Sequence, residues 1–274
     1  MIAYAGESPQ RLTRISASSA KLYLSCPLRY CFEKVLKLPS DTSAALLLGK
    51  AVHAGLSAFN LEIWKHGNAE VSGVLDHFDQ AFTETETQDG TSWPKPNERD
   101  EILSLGKAML EVYIEDERLR NSPRPVAVEA AIQDADLGFD YPVVGILDLV
   151  RQGGQIVDYK TTSRCPSDPA VEAWNHELQL VCYELLYEYA TEEKAQSLEL
   201  VYLVKTKRPK VVRHQMPPSS ETAKQRFRKM IDAFVDGVEN ERFYPCPGMQ
   251  CAWCPFRQQC AEWKGKYEHA KSMD

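Results

Sequence analysis

Residues 143–160 read VVGILDLVRQGGQIVDYK, and how this stretch folds decides the rest. Two β-branched apolar runs, 143–150 and 156–159, flank Gly153-Gly154, the pattern of a buried antiparallel hairpin that turns on its glycines. Into this hairpin the sequence sets Asp148, Asp158 and Lys160. Buried carboxylates are costly unless something positive holds them, and a divalent cation meets that cost for two acids on neighbouring strands. Asp158 and Lys160 are two apart and leave the same face. The loop decides where Asp148 goes. A two-residue Gly153-Gly154 turn pairs position 148 with 159 and sends Asp148 to the wrong face. A three-residue loop, 152–154, pairs Asp148 with Asp158 and uses a glycine in the left-handed region; a bulge near Asp148 would serve equally. A shared site requires one of these two.

The 274 residues suffice for one large domain or two modest ones, and 43% apolar with 26% charged residues is an ordinary globular composition. With 32 basic and 39 acidic residues the net charge is −7, so any nucleic-acid contact must use a local basic track rather than a broadly basic surface. The opening residues, MIAYAGESPQRLT, lack the apolar segment of a secretory signal. The longest apolar window, 44–59, is interrupted by Gly49, Lys50, His53 and Gly55 and is short for a bilayer span. The expectation is a soluble cytoplasmic protein without a membrane partner. In that compartment the clustered members of the eight cysteines read as metal or cluster ligands rather than disulfides.

Upstream of the hairpin, residues 16–38 read SASSAKLYLSCPLRYCFEKVLKL. Ser16 or Ser18 caps a helix that Pro27 breaks just after Cys26, a position where free backbone N–H groups would suit a thiolate. Taken alone, Cys26 and Cys31 read more readily as small core residues than as ligands. Residues 47–65 form an amphipathic helix on Val52, Leu56, Phe59 and Ile63, with His53 one position off the stripe and Gly49 and Gly55 beside it. Further helices are expected near 70–85 and 99–120, separated by the loop SWPKPNE. Residues 126–132 read as a strand whose Glu129 faces either the acidic site or solvent.

Downstream, Asp168-Pro169 opens a helix to about residue 190, with Gln179 and Tyr183 as an i, i+4 polar pair beside its apolar stripe. Strands follow at 198–206 and 211–216. The basic turn between them, KTKRPK, reads as a solvated loop or, with Lys224, Arg226, Arg228 and Lys229 of a helix over 220–241, as a phosphate track. The tail carries Cys251, Cys254 and Cys260 as C-x2-C-x5-C, with Cys246 five residues earlier. Such a thiolate nest needs a metal, and its fourth ligand is either Cys246 or a distant residue, for which Cys26 is the natural candidate.

In this order SAKLYLSCPLRYCFE, GKAVHAGL, GILDLV, IVDYKTT, QLVCYELLY and CAWCPFRQQC span nearly the whole chain. Together they resemble the RecB-type exonucleases of the PD-(D/E)XK superfamily, in the iron–sulfur branch with the CRISPR-associated RecB-like nucleases and the AddB nuclease domain. The resemblance implies an α/β, restriction-endonuclease-like core, a central mixed sheet flanked by helices, within a single nuclease domain over 1–274. Inside it would lie a helical lobe (45–122), the nuclease core (123–216) and a cluster region joining 16–38 to 240–264. It implies that His53, Asp148, Asp158 and the Tyr159 carbonyl bind Mg²⁺ or Mn²⁺, that Lys160 positions or activates the attacking water, and that Gln179 and Tyr183 support the site. Cys26, Cys251, Cys254 and Cys260 would hold a [4Fe–4S] cluster, with Cys31 and Cys246 outside the ligand set. The implied activity is metal-dependent hydrolysis of DNA, on single-stranded ends, in repair, phage DNA metabolism or CRISPR adaptation. Two alternatives remain: a DNA-end-binding subunit within a larger complex of protein partners, and a zinc-stapled module with a degenerate nuclease fold.

Overall fold

The computed structural model describes residues 12–265 and the two-residue strands at 3–4 and 268–269. In chain order these are β1 (Ala3–Tyr4), β2 (Ile15–Ser16), α1 (Ala17–Ser25), α2 (Pro27–Tyr30) with a π-helical turn at Cys31–Val35, α3 (Ala44–His66), α4 (Val71–Asp89), α5 (Glu98–Glu115) and α6 (Glu117–Arg120). Then come β3 (Pro125–Ala135), β4 (Val143–Arg151), β5 (Gln155–Thr162), α7 (Pro169–Thr191), β6 (Ser197–Val204), β7 (Lys210–Met216), α8 (Glu221–Glu239), a 3-10 turn at Met249–Trp253, α9 (Arg257–Glu262) and β8 (Glu268–His269). They divide into two compact units. One is formed by the described parts of Met1–Ser40, Gln133–Val144 and Ser220–Asp274, the other by Asp41–Ile132 and Gly145–Ser219.

The second unit carries the hairpin. Strands β4 and β5 pair antiparallel, Leu149 opposite Val157 and Arg151 opposite Gln155, which leaves a three-residue loop at 152–154. Gly153 and Gly154 both sit at positive φ, +81° and +68°, as that loop needs. Strand β5 then pairs in parallel with β6, from Gln155–Ser197 to Thr162–Val204, and β6 antiparallel with β7. A parallel neighbour requires a crossover, and α7 supplies it. Asp168 caps that helix by accepting from the Ala170 N–H, with Pro169 in the first turn. The sheet is mixed, as expected.

Helices α3, α4 and α5 form a lobe against this sheet. Leu47, Leu48, Val52 and Leu56 of α3 meet Phe78 and Phe82 of α4, Leu110 and Tyr113 of α5, and Val157, Tyr159 and Val201 of the strands in one buried cluster. Ser43 caps α3, and Gly67 at φ +79° ends it. At 23 residues α3 is longer than its sequence pattern suggested, and by length and composition it is long enough to cross a bilayer. Its apolar stripe is nevertheless consumed by the core just described. The helix expected over 99–120 breaks at Asp116, whose carboxylate caps α6 through the Arg118 N–H.

In the first unit, β2 pairs in parallel with the opening residues of β4, Ile15 with Val143 and Ser16 with Val144. The N-terminal helices lie against α8 and the segment after it. Tyr23 packs edge-on against Tyr30, Phe234 and Phe243, and its hydroxyl donates to the Arg242 carbonyl at 3.0 Å. The Leu28 N–H donates to the Tyr244 carbonyl, also at 3.0 Å. The segments 16–38 and 240–264 are therefore neighbours through ordinary apolar and backbone contacts.

Candidate active site

The β4–β5 pairing with its three-residue loop ends at Leu149–Val157, and Asp148 and Asp158 follow directly beyond it, with Asp158 near enough to raise the Asp148 carboxyl. Asp148 is 9% exposed and Asp158 1%. Asp148 Oδ2 accepts the Tyr159 N–H at 2.8 Å, so its side chain takes a partner that the strand ladder would otherwise claim. Asp158 Oδ1 accepts from Gln179 Nε2 at 3.0 Å, and its Oδ2 lies 2.5 Å from Lys160 Nζ. That second oxygen is buried, and close as the lysine is, the angle between them is not that of a hydrogen bond.

Gln179 joins these groups. Its Oε1 accepts from Lys160 Nζ at 2.9 Å, while its Nε2 serves Asp158 and the Tyr183 hydroxyl, the latter at 2.8 Å. An amide carries an acceptor and a donor on one carbon, so it can face a cation and an anion together without a charge of its own. Tyr183 follows one turn later on the same face of α7. Burial first, and then Asp158, push its hydroxyl above the usual phenol range, which keeps it neutral.

From the helical lobe, α3 brings His53 Nδ1 to 3.7 Å from Asp148 Oδ2. Glu129 of β3 joins them: one ligand atom each from His53, Glu129 and Asp148 lie within 4.8 Å of one another. Of the two orientations open to Glu129, the structure takes the one toward the acids. Its backbone is in the left-handed region, φ +47°, unusual for a glutamate inside a strand. The residue as a whole is exposed, yet its carboxyl faces Asp148. Desolvation there, with the neighbouring Asp148 charge, pushes it up to about 7. Asp148 is raised as well, by burial first and then by Asp158, with His53, the Tyr159 N–H and Lys160 acting the other way.

His53, Asp148, Asp158, Lys160, Gln179 and Tyr183 are thus brought together, while the ring of Tyr159 is buried on the side of the helical lobe. The set offers an imidazole, two carboxylates and a third acid with an oxygen lacking a hydrogen bond, a donor array that suits a hard divalent cation. Among the described residues Glu129 rather than Asp158 joins His53 and Asp148 in the triplet within 4.8 Å, while Asp158 is turned to Lys160 and Gln179.

A second cluster lies in the other unit. Cys26, Cys246, Cys251, Cys254 and Cys260 line a cavity of about 270 Å³ with Phe32 and Phe256, whose rings are 5.7 Å apart. Cys26 stands at the break between α1 and α2 as expected, but the N–H groups there are taken: its own by Leu22 and that of Leu28 by Tyr244. Another backbone donor serves the nest, the Gly248 N–H, which points at Cys251 Sγ at 3.4 Å. Desolvation and the neighbouring Cys26 and Cys251 raise Cys246, and desolvation with Cys26, Cys254 and Cys251 raises Cys260. Thiols that hinder one another's ionisation are the arrangement a bound cation would relieve. Cys246, outside the expected ligand set, is inside this cavity. Cys31 is fully buried and pushed up to about 12, an inert core thiol.

The family model described as the PD-(D/E)XK nuclease superfamily matches residues 14–261. Among solved structures, a candidate exonuclease from Eubacterium rectale is similar over 95% of this chain and 92% of its own, with a TM-score of 0.61 at 17% identity, a likeness of fold. An alkaline exonuclease from Laribacter hongkongensis aligns with 73% of this chain and 89% of its own at 10% identity, with a TM-score of 0.30, too loose to argue from. No curated protein matches the sequence.

Proposed function

Because the chain belongs to the PD-(D/E)XK nuclease superfamily, we propose that it is a metal-dependent deoxyribonuclease of the RecB type, acting as an exonuclease on single-stranded DNA ends. The observation that carries this reading is the linked set Asp148, Asp158, Lys160 and Gln179, with His53 and Glu129 closing its other side. His53, Glu129, Asp148, Asp158 and the Tyr159 carbonyl would hold Mg²⁺ or Mn²⁺. A bound divalent cation supplies a water of lowered pKa and neutralises charge on the phosphate. Lys160, held by Gln179, directs a positive charge to where the phosphate gains negative charge and orients the attacking water. Tyr183, a neutral phenol, holds Gln179 in place and offers its hydroxyl to the substrate strand.

In the cysteine cavity, Cys26, Cys251, Cys254 and Cys260 would carry a [4Fe–4S] cluster that ties 16–38 to 240–264, with Cys246 as a fifth, spare thiol. The net charge of −7 supports a local groove for single-stranded ends over long duplex contact. The same acidity favours a second reading, a DNA-end-binding subunit that relies on protein partners in repair, phage replication or CRISPR adaptation.

The test is cleavage of single-stranded DNA labelled at either end, by protein purified without oxygen, in Mn²⁺ or Mg²⁺, beside Gln179→Leu. Stepwise shortening from one end, lost or greatly slowed in the variant, is expected. A folded wild-type protein that binds Mn²⁺ and leaves the DNA intact would overturn the nuclease reading in favour of the end-binding subunit.

A further inference from the structure

The side of β5 away from Asp158 and Lys160 carries polar groups that the mechanism above does not use. Tyr159 is 3% exposed, and its hydroxyl lies 2.6 Å from the hydroxyl of Tyr113 on α5. The same hydroxyl accepts from Asn60 Nδ2 on α3 at 3.0 Å, and that amide also donates to the Leu56 carbonyl at 2.7 Å. Asn60 is itself 3% exposed. A polar trio packed among Leu, Val and Phe side chains, with the buried Arg151 guanidinium near both tyrosines, costs desolvation that simple packing would avoid. What such a group supplies is register: apolar ridges tolerate sliding and rotation, whereas a buried hydrogen bond has one geometry.

Two features of the trio connect it to the site. His53 is seven residues before Asn60, two helical turns and about 20° of rotation away, so the Asn60–Tyr159 bond that sets the rotation of α3 also sets the direction of His53. The His53 ring rests edge-on against the Tyr159 ring at 6.2 Å. Tyr159 meanwhile works the site through its backbone: its N–H is the donor to Asp148 Oδ2 at 2.8 Å, and its neighbours along β5 are Asp158 and Lys160. Anchoring this one side chain therefore places His53, Asp148 and the Asp158–Lys160 pair relative to one another.

We infer that Asn60 and Tyr113 are positioning residues, which hold the Tyr159 hydroxyl so that His53 and Asp148 converge at the distance a divalent cation requires. The inference rests on the nuclease reading for its purpose but not for its test, since metal binding is measured without DNA. Outer groups that orient metal ligands commonly change affinity by 10–100-fold when removed. Asn60→Leu keeps the volume and loses the donor; Tyr159→Phe keeps the ring and the backbone and loses the hydroxyl; Tyr113→Phe removes the other partner.

The experiment measures, for wild type, each single variant and Asn60→Leu with Tyr159→Phe, the Mn²⁺ dissociation constant by calorimetry, the Tm in chelator, and single-turnover cleavage at saturating Mn²⁺. The expected result is Mn²⁺ binding weakened about tenfold in each of Asn60→Leu and Tyr159→Phe, with the double variant little worse than either, because both remove the same bond. Tyr113→Phe, the mildest change, is expected to weaken Mn²⁺ with its Tm close to wild type and serves if a bulkier variant fails to fold. Lower Tm values with unchanged Mn²⁺ affinity would overturn the inference and leave a merely structural trio. Wild type that binds Mn²⁺ but cleaves nothing would instead fault the nuclease reading, with positioning still judged by the affinities.

Discussion

Replacing Lys160 by methionine removes the ammonium that lies 2.5 Å from Asp158 Oδ2 while keeping a side chain of similar length. The Asp158 side chain is 2% exposed and that of Lys160 22%, so the pair is largely shielded from water. Breaking a fully buried ion pair costs about 3–5 kcal/mol, because the remaining charge has no compensation. Here the lysine keeps some water and Asp158 keeps its bond from Gln179 Nε2 at 3.0 Å, which brings the figure to about 2 kcal/mol. In a chain of this size that is a fall in Tm on the order of 4–8 °C. The assay is thermal unfolding in chelator and again in excess Mn²⁺. A cation held by Asp158 compensates the stranded carboxylate, so the gap between variant and wild type should narrow, on top of the roughly 2.7 kcal/mol that ligand at a hundredfold its Kd adds to either protein. Cleavage should fall about a hundredfold or more, the scale for losing a donor at a developing oxyanion. A variant with wild-type Tm in chelator would refute the pairing of Lys160 with Asp158. A deficit that Mn²⁺ leaves unchanged would remove Asp158 from the ligand set.

Two further outcomes are expected. Glu129 is raised to about 7 and Asp148 is raised in the folded protein, so between their unfolded values and about pH 7 the fold binds more protons than the unfolded chain. Stability without metal is therefore fully present below that window and declines as pH rises through it; Mn²⁺ binding, which displaces those protons, tightens over the same range. Calorimetry in buffers of different ionisation enthalpy should register proton release near pH 6, much reduced in Glu129→Gln; a flat Mn²⁺ affinity from pH 5.5 to 8 would contradict this. If the cysteine cavity carries the proposed cluster, Cys260→Ser should hold little iron and melt earlier while Cys246→Ser holds as much as wild type, and equal iron content in the two variants would require a different ligand set.

The hairpin could be read almost completely before folding. Its β-branched runs and two glycines left a two-residue loop, a three-residue loop or a bulge near Asp148 open, and the loop observed is the three-residue one. Gln179 and Tyr183 were identifiable as a polar pair on α7, although nothing local distinguished them from surface decoration. What distinguishes them is Lys160, across the sheet–helix interface, at 2.9 Å from the amide.

Glu129, Asn60 and Cys246 mark the boundary of that kind of reading. The strand period left Glu129 facing the acids or solvent, and the answer depends on a left-handed backbone at that residue which no composition rule announces. Asn60 is an ordinary polar residue on an apolar helix until Tyr159, 99 residues away in the chain, is set against it. Cys246, five residues before Cys251, stood beside Cys26 as an alternative fourth ligand, and only the folding of the tail shows that both line the cavity.

The sequence by itself determined most of the periodic elements, the Asp168 cap of α7, and the hairpin with the acids and lysine it presents, because each follows from backbone sterics and side-chain alternation within a few residues. Tertiary structure decided which distant side chains complete the sites, since burial, hydrogen-bond geometry and desolvation exist only once α3, α5 and β5 are packed together.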